Sequence, residues 1–311
     1  MHGVALPEQL QELARRVSNW GRWGDDDERG TLNFIDAAAV LRGVAAVRRG
    51  ATFSLAIPMN ANGPQTGGIP GRINPQHRMI AVNQSYTGDP NDFTTSDDAV
   101  DMGIQAATHW DTLAHAGYGN HLYNGFPDSA ITDAGTAHLG VEHFGPIVSR
   151  GVLLDVARLH GVDHFDDNHV IGADDLEGAT SSAGVVIEPG DIVMVRTGQM
   201  HFLRAGERER YSHPSPGLGV GSIEWLHDHE VAAVATDNLT FEVFPCEERK
   251  VLFPVHMINL RDQGLVQGQV WHLDELAADC ADDGIHECLL VATPLPITRA
   301  VGGTVAPTAV K

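Results

Sequence analysis

The chain is short of cysteine, of positive charge and of long apolar runs, and each shortage removes a class of function. Its three cysteines, Cys246, Cys280 and Cys288, have no regular spacing and leave an odd one over. That pattern argues against a disulfide framework or a cysteine-rich zinc site. Cys280 and Cys288 fall in apolar stretches and read as small buried side chains. Only 20 basic residues stand against 41 acidic ones, a formal charge of −21. Such a surface repels phosphate backbones and anionic headgroups, so neither nucleic acid nor membrane is expected as a partner. No run approaches the roughly 18 apolar residues needed to span a bilayer. The opening Met1-His-Gly-Val-Ala-Leu-Pro-Glu-Gln9 lacks the charged-then-apolar pattern of a leader, and cytoplasm is the expected location. There is also no Gly-x-Ser-x-Gly elbow for a serine nucleophile, and no glycine-rich phosphate loop between a strand and a helix.

What is present is enough apolar sequence for a sizeable core, 42 % of the chain, with 34 glycines and 16 prolines to punctuate it. Leu10, Leu13, Ala14 and Val17 make one helical face over residues 7–18. Asp36 is placed to cap a second helix running to about Arg49. Thr52 to Ile57 reads as a strand. Residues 60–100 are rich in Gly, Pro, Asn and Ser and read as a long loop, functional or disordered. Further on, strands are expected at 151–155, 185–188, 191–197, 231–236 and 288–292. Helices are expected at 174–183, 222–229 and 273–281. Strands alternating with helices predict an α/β or mixed-sheet architecture. The simplest partition is one domain over 1–311, with residues 1–50 as a helical extension packed on it.

Seventeen histidines make clustering the test of significance. The segment Gln105-Ala-Ala-Thr-His-Trp-Asp-Thr-Leu-Ala-His115 clusters best. Gln105, His109, Asp111 and His115 share parity, so an extended strand would put them on one face. A helix would instead pair 105 with 109 and 111 with 115. His-x-Asp combines an imidazole nitrogen with a carboxylate oxygen, a donor set suited to zinc or manganese. Trp110, Tyr118 and Tyr123 supply apolar walls nearby, as small-molecule sites require. His227 and His229 read as an exposed helix end rather than a metal site.

This segment resembles the metal-binding motif of the cyclase-like hydrolases, the family of bacterial kynurenine formamidase, isatin hydrolase and trans-dienelactone hydrolase. That motif reads His-x-Gly-Thr-His-x-Asp-x-Pro-x-His, and Thr108, His109, Asp111 and His115 match it. Similar stretches run along nearly the whole chain, from Asn19-Trp-Gly-Arg-Trp-Gly24 through Gly151-Val-Leu-Leu-Asp155 and Pro189-Gly-Asp-Ile-Val193 to Phe253-Pro-Val-His256. The departures are Gln105 for the first His, Ala107 for Gly, Leu113 for Pro, and Gln269 where a Glu is expected.

The resemblance implies a swivelling β/β/α fold, an α/β class with a mixed barrel-like sheet. It implies one divalent ion, zinc or manganese, held by His109, Asp111 and His256 with Gln105 or Gln269 as auxiliary oxygen donors. His115 would be the general acid/base, and the reaction would open or cleave an amide, lactam or lactone. Trp20, Trp23 and Trp110 become candidates for the substrate pocket. Asp237 and Glu242 resemble positions lining the site, with a structural role as the plainer reading. Arg196 and Thr197 resemble a turn near the pocket. The expected partner is a small-molecule substrate, and relatives are homodimers or homotetramers. Two alternatives stay open. With two ligand positions turned into amides, the site is metal-free in one, leaving an isomerase, dehydratase or cyclase working by acid and base. In the other, the chain is a ligand-binding relative that has lost hydrolysis.

Overall fold

Four parallel strands form the centre of a nine-stranded, curled half-barrel sheet in the computed structural model, which describes residues 6–311. The first five residues, read above for a leader, lie outside the described residues. The central strands are β7 (Val148–Asp155), β9 (Ile192–Arg196), β11 (Ala233–Thr236) and β12 (Val266–Gln269), each parallel to the next. One flank adds β13 (Glu287–Val291), β15 (Thr308–Val310) and β1 (Thr52–Ser54), all antiparallel. The other flank adds β4 (His109–Asp111) and β14 (Gly302–Thr304), also antiparallel. The mixed α/β sheet implied by the family resemblance is therefore present.

The central strands are apolar on both faces because both faces are covered. Leu153, Ile192, Met194, Ala233 and Val266 face one core, which holds Trp110, Trp271 and the helix Asp274–Asp283. Their neighbours Val152, Leu154, Val193, Val195 and Val234 face a second core. That side is covered by α1 (Glu8–Arg16) and the helices Ala173–Ala183 and Ser222–Asp228. Cys280 and Cys288 are buried as expected. Among the described residues no helix is long and apolar enough to cross a membrane.

The second N-terminal helix, α2 (Ala37–Ala46), packs across β7 and β13. Its start is set by Asp36, whose carboxylate accepts the Ala39 backbone N–H at 2.8 Å. Asp36→Ala should cost about 1 kcal/mol of stability by loss of this cap, read from the urea midpoint at unchanged slope.

Two expectations fail here. Residues 185–188 form no strand, because the Asp191 carboxylate draws the Glu188 N–H into a turn at 2.8 Å and Val186 is left exposed. Residues 60–100 are not simply a loop: β2 (Gln76–Ser85) and β3 (Thr94–Asp101) form a long antiparallel hairpin. These strands pair only with each other and are exposed on both faces, so no inside-outside alternation marks them in the sequence.

Candidate active site

The strand β4 is three residues long and carries the His-x-Asp pair. Strand geometry puts His109 and Asp111 on one face and Trp110 on the other. Across the sheet, Gln269 and Thr304 lie opposite His109, and Gln267 and Gly302 lie opposite Asp111. Trp110 is fully buried in the core, edge-on to Trp271 at 4.8 Å, and its Nε1 donates to the Ala292 carbonyl at 2.8 Å. Both its lateral partners are glycines, Gly268 and Gly303. A β-carbon on Gly268 would stand 2.8 Å from the indole Cε3, so the ring needs that bare backbone. Parity thus removes Trp110 from the site face and makes it the anchor of the ligand strand, a correction to its placement in the pocket wall.

Parity does not extend to the ends of the segment. Gln105 sits in a 3-10 turn, Ile104–Ala106, and His115 follows a turn closed by its own N–H to the Thr112 carbonyl at 2.9 Å. Turns, not one long strand, bring them together. The result is a ring of imidazoles around one carboxylate. His109 Nε2 lies 3.5 Å and His115 Nε2 3.6 Å from Asp111 Oδ1, and His256 Nε2 lies 3.9 Å from Oδ2. His109 donates from Nδ1 to the Ala107 carbonyl at 2.7 Å, which leaves a lone pair on Nε2. That Nε2 and Asp111 Oδ1 are buried and have no hydrogen-bond partner. Burial works to raise the Asp111 pKa, but His115, His109 and His256 outweigh it and hold the carboxyl well below its usual range. Burial is the main force lowering the His115 pKa, against the pull of Asp111.

The two glutamines take a supporting place. Gln269 donates from Nε2 to Asp111 Oδ2 at 2.6 Å, and Gln105 Nε2 lies 3.4 Å from His115 Nδ1. Each turns its amide nitrogen, not its oxygen, towards the cluster, which differs from the auxiliary oxygen donors expected.

Glu242 is also displaced from its expected role on the substrate side. Its buried carboxylate accepts His256 Nδ1–H at 2.6 Å, the His256 backbone N–H at 2.9 Å and the Val255 N–H at 3.2 Å. It therefore caps the turn Pro254–His256 and fixes the imidazole in one orientation. The preceding Phe253 is left-handed at φ 55°, a strained conformation for an aromatic residue and one found at functional sites.

A cavity of about 590 Å³ opens on His115, His256 and Gln269. Its apolar walls are Ile69, Leu239, Phe244, Leu252 and Phe253, and Arg72 enters from the segment before the hairpin. The expected aromatic lining is elsewhere. Trp20 and Tyr118 border a separate surface cleft, each beneath the Arg261 guanidinium. There the Tyr118 hydroxyl donates to Asp262 at 2.7 Å, and burial pushes the Asp262 carboxyl up to about 6. Trp23 packs edge-on against Phe34 at 5.0 Å. Arg72, Phe244 and Leu252 carried no local sequence signal, because loops far apart in the chain deliver them. Only the loop composition around Arg72 and the Phe253-Pro-Val-His256 stretch pointed this way.

The remaining candidates do not line this cavity. Asp237 accepts the Thr197 N–H, the Thr197 hydroxyl and the Gly198 N–H at 2.7–2.8 Å, and burial pushes its carboxyl up to about 6 despite them. Arg196 is turned away into pairs with Asp155 and Asp274, both at 3.0 Å. Elsewhere, His160, His169 and Asp175 bring ligand atoms within 4.8 Å of one another, with His160 and Asp175 joined at 2.6 Å. None of the three lines the cavity.

A curled mixed sheet with a histidine-ringed carboxylate on a flanking strand defines a class of protein, and the comparisons place the chain within it. The cyclase family model, described as "Putative cyclase", matches residues 52–243, and the chain belongs to that family. A crystal structure described as a novel cyclase is 39 % identical, covering 95 % of this chain and 100 % of that one, with a TM-score of 0.86. Isatin hydrolase A from Ralstonia solanacearum is 18 % identical over 88 % of this chain and 95 % of its own, with a TM-score of 0.64. A predicted metal-dependent hydrolase from Bacillus stearothermophilus is 14 % identical over 84 % and 98 %, with a TM-score of 0.53. The last two share the fold. No curated protein matches the chain.

Proposed function

We propose that the chain is a metal-dependent hydrolase that opens or cleaves an amide, lactam or lactone of a small cyclic or aromatic substrate. One observation carries the reading: His109 Nε2 and Asp111 Oδ1 are buried 3.5 Å apart with no hydrogen bond to either. Two buried acceptors facing each other call for a proton or a metal ion between them, and a third imidazole, His256, directed at the same carboxylate favours the metal. The donor set fits a divalent ion of the zinc or manganese kind, held by His109, Asp111 and His256. Such an ion, when bound, polarises a carbonyl and lowers the pKa of water. The names of the isatin hydrolase and metal-dependent hydrolase neighbours agree with this chemistry.

The chain's own groups do the rest. Water adds to the substrate carbonyl carbon and the C–N or C–O bond breaks. His115, which borders the cavity, is the group placed to take the proton from that water and return it to the leaving nitrogen or oxygen. Gln105 positions the His115 ring, Gln269 positions Asp111, and Glu242 positions His256. Phe244 and Phe253 give the cavity apolar walls beside His256 for the body of the substrate.

The test is to measure bound zinc and manganese in the purified protein. Formanilides, isatin-like lactams and lactones are then assayed with and without chelator. Turnover that falls with chelator and returns with one equivalent of metal supports the proposal. Turnover untouched in metal-free protein would overturn it in favour of acid/base chemistry alone. Ligand-induced stabilisation without turnover of any substrate would point to a binding protein. Glu242→Gln leaves an amide facing three donors, so the ion affinity should drop about 10- to 100-fold in a competition titration.

A further inference from the structure

Arg72 is out of keeping with the charges around it. Among the described residues it is the one arginine away from open solvent whose guanidinium makes neither an ion pair nor a hydrogen bond. Arg29, Arg42, Arg150, Arg196, Arg208 and Arg261 are comparably placed, and each has a carboxylate or carbonyl partner. The Arg72 stem rests on Gly103, where a β-carbon would come within 2.9 Å of its Cγ. The cavity it enters has no Asp or Glu in its wall, in a chain carrying 41 acidic residues. Burial lowers the Arg72 pKa and the charge of Asp111 opposes this, so the guanidinium stands within electrostatic reach of the histidine-ringed carboxylate.

An unpaired, partly desolvated guanidinium beside apolar walls lacks a counter-ion. A single planar fork suits one carboxylate by paired N–H donors. A phosphate ester would call for more positive charge than one arginine, and no lysine lines this cavity. The walls supplied by Ile69, Leu239 and Phe244 ask for an apolar or aromatic body on the same molecule. We infer that Arg72 is the recognition site for a carboxylate, and that this cavity takes aromatic or alicyclic acids with the scissile carbonyl directed to His115 and Asp111. The inference rests on the hydrolase reading only for the direction of that carbonyl. Carboxylate binding itself does not require turnover.

The experiment is equilibrium titration of chelator-treated protein with 2-naphthoate and with its neutral isostere 2-naphthamide. Removing metal first prevents the probe carboxylate from ligating an ion. Wild-type protein should bind the naphthoate at least tenfold more tightly than the amide. Arg72→Met keeps the stem and should weaken naphthoate binding at least tenfold while leaving naphthamide unchanged, which also reports an intact cavity. Arg72→Lys keeps the charge, loses the fork and should fall between the two. Equal wild-type affinity for both probes would overturn the inference, as would a preference that survives in Arg72→Met. Failure to bind either probe would do the same. If Arg72→Met does not fold, the Arg72→Lys comparison decides, with an unchanged preference counting against. An absence of hydrolytic activity with intact naphthoate preference would refute the hydrolase reading alone.

Discussion

Asp111→Asn is expected to lower kcat/KM by about 10³-fold on the best substrate and to abolish tight ion binding. Asp111 is the carboxylate on which His109, His115 and His256 converge, at 3.5, 3.6 and 3.9 Å. An amide has the same shape but no charge. One end of it becomes a donor that would satisfy the lone pair of His109 Nε2 and close the gap proposed for a cation. Gln269 and Gln267, now facing Asp111 Oδ2 at 2.6 and 3.5 Å, are neutral and supply no replacement. The substitution is isosteric, so the far-ultraviolet dichroism should match wild type, and a loss of activity will belong to the site. Metal analysis separates the roles. If Asp111→Asn kept its ion and its turnover, Asp111 would not be the centre of the reaction.

Trp110→Ala should remove about 3–5 kcal/mol of stability, by loss of transfer free energy and by the cavity left behind. A domain's whole stability is about 5–15 kcal/mol, so the variant stands near the edge of folding. The indole is fully buried, stacked edge-on to Trp271, bonded to Ala292 and flanked across the sheet by Gly268 and Gly303. Neither glycine has a side chain to move into the vacancy, so little relaxation is available. Trp110→Phe fills much of the space and should cost less, about half as much. The measurement is the urea midpoint of each variant. A cost below about 1 kcal/mol for Trp110→Ala would show that this ring does not anchor the strand. Since His109 and Asp111 flank Trp110 in sequence, the alanine variant should also lose ion affinity before it unfolds.

Much of this was legible without coordinates wherever a local pattern has a local cause. Asp36 caps its helix because the donor it satisfies is three residues away. The central strands stand out because burial on both faces writes continuous apolar runs. His109 and Asp111 share a face because strand parity is a property of the backbone, and the same parity, applied to Trp110, would have sent it to the core. The hairpin 76–101 was missed because neither of its faces is buried, so its ladder leaves no mark in hydropathy. Resemblance points Trp20 and Trp23 to the cavity, and nearness to residues 105–115 points Tyr118 there, yet their partners are Arg261, Phe34 and Asp262.

The composition, the strand and helix periods and the donor chemistry of residues 105–115 were determined by the sequence alone, because each depends on neighbours within a few positions. The tertiary structure decided what crosses long stretches of chain. It set Glu242 on His256, Gln269 on Asp111, and Arg72 in one cavity with Phe244. Such contacts follow from how the sheet curls and where its loops return. No spacing rule reaches across the 171 positions between Arg72 and Phe244.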